Sequence, residues 1–537
     1  MGITNKWLGF LIFFVIFLLI CWSYNYAEIL WLRPKLFHVF RQTDCLSITD
    51  NYYNGNWNFF QPSLNVLFSD KNTTGKSAGE FPLLYYFVAL LWKVFGKHEY
   101  IFRLVTIAFA FSGMLALYKL VYALVKDYFW AIASALFLFC SPIFAFYSNN
   151  FLTNVPAFSL MLIALYFFYL FWNSGRNRHL FICMVLFLVA GLLKVSSLLS
   201  FAVIGALYLG ETSNLIRLKK EGKVFSQPLQ QGLSLVMVLA GVLAWYAYVG
   251  YYCNLHGGKF TYNGTESYWS ETKAEQNAAI SCLTSFMFYQ IYSVGAFVYL
   301  IACLITLAVN YRKIPMLWRV AIPLLVMGYV SFILLFFYSL NGHDYYHIDF
   351  LIIPIIINLA FLHYLSAYER RAFKSTVLKI FFALFLGYNV LYCGNNMRIR
   401  YWDTPNDEKT FRQIFAPKSE TDLWSWITWS YPNGSLEKVT PVLRSMGIQR
   451  NDIFICPNDD SYSIQLYLMD QIGYTNILNW LSDSTTVMGR IKAGAKYMVI
   501  SDTTTIKQPR IKPFTGHELK RFGNLRIYDL KPYSVHN

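Results

Sequence analysis

"FPLLYYFVALLWKVFG", residues 81 to 96, is the stretch on which the reading of the whole chain turns. It is apolar, yet shorter than the roughly 20 residues a helix needs to cross a hydrocarbon core about 30 Å thick. Pro82 opens it and Lys93 interrupts it. Counted as a span, it would reverse the side of every later loop. Counted as a helix lying along the membrane surface, with its aromatic rings at headgroup depth, it leaves those loops consistent with one another.

Outward from it, apolar runs recur at 7–25, 101–125, 128–147, 155–173, 180–194, 197–212, 233–252, 286–309, 319–339, 347–367 and 376–393. With the interfacial reading of 81–96, the basic residues fall on one side: Lys119, Lys126, Arg176, Arg178, the Arg217–Lys223 cluster, Arg312, Lys313 and the Arg370–Lys379 group. That is the cytoplasmic side by the positive-inside rule. The expected fold class is a polytopic α-helical membrane protein with about 11 transmembrane helices (range about 10–13) and a small C-terminal α/β domain. The run Trp7–Trp22 follows a single Lys and has no small-residue cleavage pattern, so it reads as a retained helix.

Composition agrees. Of 537 residues 56% are hydrophobic, 19% aromatic and only 14% charged, too little polar surface for a soluble globule of several domains. The formal charge of +16 is spread over short loops, which speaks for topology and against nucleic acid. Nine cysteines show no CxxC pair or His/Cys metal spacing. Cys253 and Cys282 flank an expected external loop and are a candidate pair.

The expected organisation is a transmembrane catalytic domain over 1–393, with a first external loop at 26–100, and an external α/β domain over 394–537. In the latter, 452–459 and 495–502 read as buried strands, with a helix within 461–473. Sequons at Asn72, Asn263 and Asn433 lie in expected external regions.

Candidate functional residues collect on the external side, away from soluble nucleotide sugars, so an enzyme acting there needs a substrate carried across the bilayer on a lipid. In "HVFRQTDCLSITDNYYNG", 38–55, Asp44 can take a proton from an attacking hydroxyl within about 3 Å. An Arg41/Asp44 pair that merely steadies a loop is the plainer alternative. Glu80, ahead of Pro82, is either an ordinary acid at a helix N-terminus or a ligand for metal or sugar. Lys194, in "GLLKVSSLLS", interrupts two apolar runs and suits a phosphate oxygen; snorkelling to the headgroups also explains it. "NGHDYYH", 341–347, gathers His343, Asp344, Tyr345, Tyr346 and His347 as tentative metal ligands or as an aromatic belt, and His256 is a further candidate ligand.

"HVFRQTD", "NYYNGNWNFFQP", "GEFPLLYYFVALLWKVFGKHEYIFRLVTIAF", "GLLKVSSLLS" and "HDYYHIDFLIIP", in that order over about residues 1–370, resemble the membrane glycosyltransferases of the GT-C fold. The resemblance is to the branch of protein O-mannosyltransferases, lipid A aminoarabinose transferases and lipopolysaccharide galacturonosyltransferases. It implies an inverting transferase of the cytoplasmic membrane, taking a sugar from a polyprenyl-phosphate donor to a lipid A, glycan or protein acceptor at the external, periplasmic face. Asp44 then matches the loop aspartate implied to be the catalytic base. Glu80 matches an acid that in some members helps hold a divalent metal (Mg, Mn or Zn), with His343 and His256 as tentative co-ligands. Lys194 and Arg41 match cations for the lipid phosphate, and Tyr345 and Tyr346 a pair lining the cavity. Asn154 stands where many relatives have Asp, and Phe81 where some have Lys. Competing readings are a transporter or flippase of a lipid-linked sugar, which usually shows internal repeats not seen here, and a membrane scaffold presenting the C-terminal domain.

Overall fold

The computed structural model describes residues 3–55, 57–258, 266–401 and 434–534. Two compact units divide the chain: Met1–Trp31 with Phe102–Ala244 and Asn263–Thr428, and Leu32–Ile101 with Trp245–Tyr262 and Trp429–Asn537. Residues 32–101 thus group with the C-terminal α/β segment.

The first unit is helical. Seven helices among the described residues are long and apolar enough to cross a membrane, and two bent pairs raise that to nine. Shorter apolar helices at Trp7–Ser23 and Asn177–Leu193 occupy the two remaining expected positions. One bent pair, Tyr128–Phe139 with Pro142–Ser148, turns by 79°. Pro142 cannot donate a backbone hydrogen bond into the preceding turn, and Ser141 is extended (φ −78°, ψ 118°). The other, Lys273–Ile291 with Val294–Val309, turns by 86° at Tyr292, after which Ser293 caps the new helix by accepting from the Ala296 N–H. The last helix runs Thr376–Tyr401, past the expected end at 393.

In the second unit the segment 81–96 forms the helix Leu83–Phe95, whose 13 residues fall short of a span. Leu84, Tyr85, Val88, Ala89 and Trp92 are buried, while Leu83, Phe87, Leu90 and Val94 leave an exposed apolar stripe of the kind an interfacial helix offers to lipid. Its buried side packs on the helix Val39–Asn54 through Tyr52–Tyr86 and Tyr53–Trp92 ring contacts.

The C-terminal sheet has strands β1 (Ile453–Cys456), β2 (Ile472–Thr475), β3 (Ala495–Ile500), β4 (Glu518–Phe522) and β5 (Leu525–Asp529), in the order β2-β1-β3-β5-β4. β1 is parallel to β2 and β3, and β5 is antiparallel to β3 and β4. The helix expected within 461–473 is only Ile464–Leu468, because Ile472 already starts β2. β2 is also bridged, in parallel, by Val66 of the first loop: Leu67 N–H donates to the Gly473 carbonyl (2.7 Å) and Gly473 N–H to that of Asn65 (3.0 Å). Gly473 is required here, since a Cβ would sit 2.0 Å from the Phe454 carbonyl oxygen.

All nine cysteines are free, so the candidate Cys253–Cys282 pair does not form. Cys253 lies against Ala78, and Cys282 accepts from the Gly342 N–H. Asn263 and Asn433 lie outside the described residues, whereas Asn72 ends a run of three left-handed residues, Asp70, Lys71 and Asn72 (φ 51°, 59° and 69°).

Candidate active site

The helix Val39–Asn54 starts after His38, itself left-handed at φ 56°, and ends at Gly55. Its mean hydrophobic content is low, yet most of it is buried, so its polar groups need partners within the fold. Thr43 and Thr49 bond back to the carbonyls of their own helix. Ser47 is tied to Asn65 (3.1 Å and 2.8 Å). Asp44 differs: it is 1% exposed, and its Oδ1 has no hydrogen-bond partner among the described residues. Burial pushes its carboxyl up to about 8, against the pull of Arg41 and with help from the negative charge of Asp459 and Glu80.

Arg41 lies one turn before Asp44 and spends its charge on Glu80, with Nη2 2.6 Å from Oε1. Tyr85 Oη donates to the other Glu80 oxygen (2.7 Å) and meets Cys45 Sγ at 3.3 Å. Glu80 is therefore not an acid capping the helix Leu83–Phe95, one of the two roles open to it. It is the counter-ion of Arg41.

Six positions after Asp44, Asp50 is fully buried but doubly paired, with Lys97 Nζ at 2.6 Å and Arg450 Nη2 at 2.9 Å. Burial alone would push it up, but Lys97 and Arg450 outweigh that and hold its carboxyl below the usual range. Asp470 joins the same network through Lys97, Arg450 and Arg444.

His256 closes the helix Pro228–His256 and engages Asp70: its Nδ1 lies 2.8 Å from Oδ1, and the Asp70 N–H donates to its carbonyl (2.7 Å). It clamps the left-handed turn.

The first unit carries a second cluster. Lys194 ends the helix Asn177–Leu193 in extended backbone, and its Nζ lies 4.7 Å from the Tyr346 ring centroid and 5.8 Å from that of Tyr345. Ser196 and Ser197 donate to the two oxygens of Asp349 (2.5 Å and 2.6 Å), pinning the turn after Lys194 to the segment that bears the tyrosines. Asn154 Nδ2 donates to the Tyr345 carbonyl (3.1 Å), so the residue that departs from the resembled pattern supports the aromatic pair.

The segment Asp344–Leu351 is a 3-10 helix. At three residues per turn, positions four apart diverge. The His343 ring meets that of Tyr345 edge-on and that of Tyr346 at a tilt, while His347 Nδ1 meets Tyr329 Oη at 2.9 Å, so the His-x-x-x-His spacing does not make a ligand pair. Asp344 is held by Arg400 (2.6 Å, both side chains 0% exposed) and by Tyr147 Oη (2.5 Å). Among the described residues no three His, Cys, Asp or Glu side chains converge as a metal site. With Glu80 committed to Arg41 and Tyr85, and His256 to Asp70, the tentative ligands Glu80, His343 and His256 do not fit a shared ion.

Sequence reasoning missed Asp459, Arg400 and the Asp50 network. Arg400 had a signal, a charge at the end of an apolar run. The first unit also encloses an apolar cavity of about 390 Å³, lined by Leu165, Phe168, Ile204, Leu207, Leu359 and, on the helix that follows Lys194, Ser200.

Residues 78–248, which include Glu80 and Lys194, match the family model described as dolichyl-phosphate-mannose-protein mannosyltransferase. Among solved structures, ArnT from Cupriavidus metallidurans is similar in its apo state (TM-score 0.58) and bound to undecaprenyl phosphate (0.59), each at 12% identity over 98% of both chains. The Archaeoglobus fulgidus oligosaccharyltransferase, in complex with Zn and sulfate, is similar with TM-score 0.52 at 11% identity, over 94% of this chain and 72% of that one. A comparison with curated proteins found no sequence match.

Proposed function

We propose that this chain, which has the GT-C fold, is an integral-membrane glycosyltransferase that moves a sugar from a polyprenyl-phosphate donor to an acceptor lipid, glycan or protein. The reaction belongs at the external face of the cytoplasmic membrane, the side opposite the basic loops. One observation carries this reading: Asp44 is a buried carboxyl raised toward neutrality whose neighbouring cation is committed to another acid. A structural acid would be paired, as Asp50 is. A general base works best with its pKa near the working pH.

In the proposed reaction the acceptor oxygen attacks the anomeric carbon as the bond from that carbon to the phosphate oxygen breaks. Asp44 takes the acceptor's proton, polyprenyl phosphate leaves with the bonding pair, and a single displacement inverts the anomeric centre. Lys194, held beside Tyr345 and Tyr346 in the first unit, has the charge to bind the phosphate of a lipid-linked donor. Arg41 keeps Glu80 neutralised and assists through its positive charge. The apolar cavity among Leu165, Phe168 and Leu207 has the chemistry of an isoprenoid or acyl chain.

The test is mass analysis of vesicles containing the purified protein and a panel of polyprenyl-phosphate sugars with candidate acceptors. Covalent transfer that depends on Asp44 supports the reading. Movement of the lipid-linked sugar across the bilayer without transfer would replace it with a flippase.

A further inference from the structure

The apolar cavity of the first unit lies among five of the helices long enough to cross a membrane: Glu99–Val125, Asn154–Ser174, Val195–Thr212, Met316–Leu335 and Asp344–Tyr368. Most of its wall comes from one end of them. Leu124 stands in the last turn of the first, Trp172 in the last turn of the second and Trp318 in the first turn of the fourth, while Leu218 comes from the loop after the third. This is the end at which the basic loops gather. Lys194 and Tyr345 mark the other end. At a rise of about 2 Å per residue through the 3-10 helix and about 1.5 Å after it, His363 in the cavity wall stands about 30 Å from Tyr345. That is a full hydrocarbon thickness.

Two cations flank the wall at the basic end. Half-buried Lys219, next to Leu218, donates to the Trp172 carbonyl (2.6 Å). Half-buried Arg319, next to Trp318, donates to the carbonyls of Ile314 (2.6 Å) and Arg312 (2.7 Å). These bonds tie down chain ends but cancel no charge, and among the described residues neither side chain is ion-paired. Glu211, the acid nearest in sequence on the preceding helix, is buried and accepts from the Phe225 N–H (2.7 Å) instead. The wall itself holds a neutral donor. Trp318 Nε1 donates to His363 Nδ1 (3.0 Å), which leaves Nε2 of that imidazole to carry the proton.

Building on the reading of the cavity as a site for a lipid chain, we propose that it takes an acyl chain of an anionic phospholipid from the leaflet on the basic side. Lys219 and Arg319 meet the headgroup phosphate, and His363 the ester region. Basic pockets between membrane helices on that side suit such headgroups. A donor held by its phosphate near Lys194 has only hydrocarbon at this depth, so its isoprenoid would leave the two charges and the imidazole donor unmatched. The first unit then has a substrate site at one face and a site for a lipid of the bilayer at the other.

Native mass spectrometry of the full-length protein, delipidated in detergent, reads lipid occupancy without sugar transfer, so failure here leaves the test of Asp44 standing. Dioleoylphosphatidylglycerol binds at least about tenfold more tightly than dioleoylphosphatidylcholine, the scale of one charged contact. Lys219→Gln combined with Arg319→Gln erases that preference, and Lys219→Gln alone, the milder change, narrows it. Leu207→Trp, which fills the cavity, weakens both lipids. Lys220→Gln, exposed on the same loop, leaves the preference as it is. Equal binding of the two lipids overturns the proposal, as does a preference that survives in both Lys219 variants. So does one that falls equally with Lys220, which is what diffuse attraction to basic loops gives. Stoichiometric displacement of phosphatidylglycerol by a polyprenyl phosphate also overturns it, since the cavity would then belong to the donor.

Discussion

Asp44 and Asp50 lie on the same helix, both out of water, and the fold treats them in opposite ways. Asp50 is met by Lys97 and Arg450 and held ionised. Asp44 is raised by burial, against the pull of Arg41, which is bound to Glu80, and stays protonated until the pH passes about 8. The first unit repeats the contrast with cations. Arg400 is ion-paired with Asp344 at 2.6 Å, and Lys194 lies over the rings of Tyr345 and Tyr346 and acts on the nearby Asp349. Asp44, Asp50 and Arg400 are buried and Lys194 is half-buried, so burial alone does not sort them. The partners separate groups that hold the structure together from groups poised for a substrate.

Exchanging the two aspartates in turn is the sharpest way to break this comparison. Asp44→Asn lowers transfer by at least about 100-fold, the usual scale for losing a general base, and leaves the protein folded; near-normal turnover by the purified variant ends the contrast. Asp50→Asn does the reverse. It leaves Lys97 and Arg450 with less negative charge in a buried network and costs about 3 kcal/mol of stability, read as a lower unfolding midpoint in urea. Because the Asp50 carboxyl is depressed in the folded state, its contribution is present above the unfolded carboxylate pKa and fades as pH falls through the folded one.

Lys194→Gln is next in size. Losing a charged contact to phosphate weakens donor use by about tenfold in KM, with the unfolding midpoint nearly unchanged; a large fall in stability instead would class Lys194 with Arg400. The pH dependence follows the sign of the Asp44 shift. Activity rises as pH passes through about 8, where Asp44 ionises. Stability moves oppositely, since the folded state favours the neutral carboxyl: that contribution is complete below the unfolded pKa and is lost as pH rises through the folded one. Above pH 8, therefore, Asp44→Asn melts higher than the unaltered protein. The smallest effect is at the surface. Lys496, half exposed, pairs with Asp452 at 2.8 Å, and Lys496→Ala changes stability by under about 1 kcal/mol.

The apolar runs were legible because hydropathy over some twenty residues survives almost any tertiary arrangement, and the short run at 81–96 was readable from its length and Pro82. The partners were not legible. That Glu80 would face Arg41, or that Asp344 would meet Arg400, depends on contacts between segments far apart in sequence. His343 and His347 misled because their spacing suits an α-helix, and the backbone there winds as a 3-10 helix. The Cys253–Cys282 pair failed for the same reason: flanking one loop says nothing about where the two thiols point. Asp459 had only a weak signal, an acid after a strand, until the fold set its loop against Phe40.

The bridge from Val66 to Gly473 also bears on biogenesis. The unit that holds Asp44 is assembled from the chain's early, middle and late segments, so ribosomal order and folding order conflict. Val66 must wait, its backbone unpaired, while every intervening helix is inserted and the C-terminal strands are made. Contacts so distant in sequence form slowly, and an open strand edge invites mispairing during the delay. Synthesis halted before β2 would yield a protein with its membrane helices made and Val66 without its bridge to Gly473, a species that cellular quality control can recognise by protease sensitivity in the first loop.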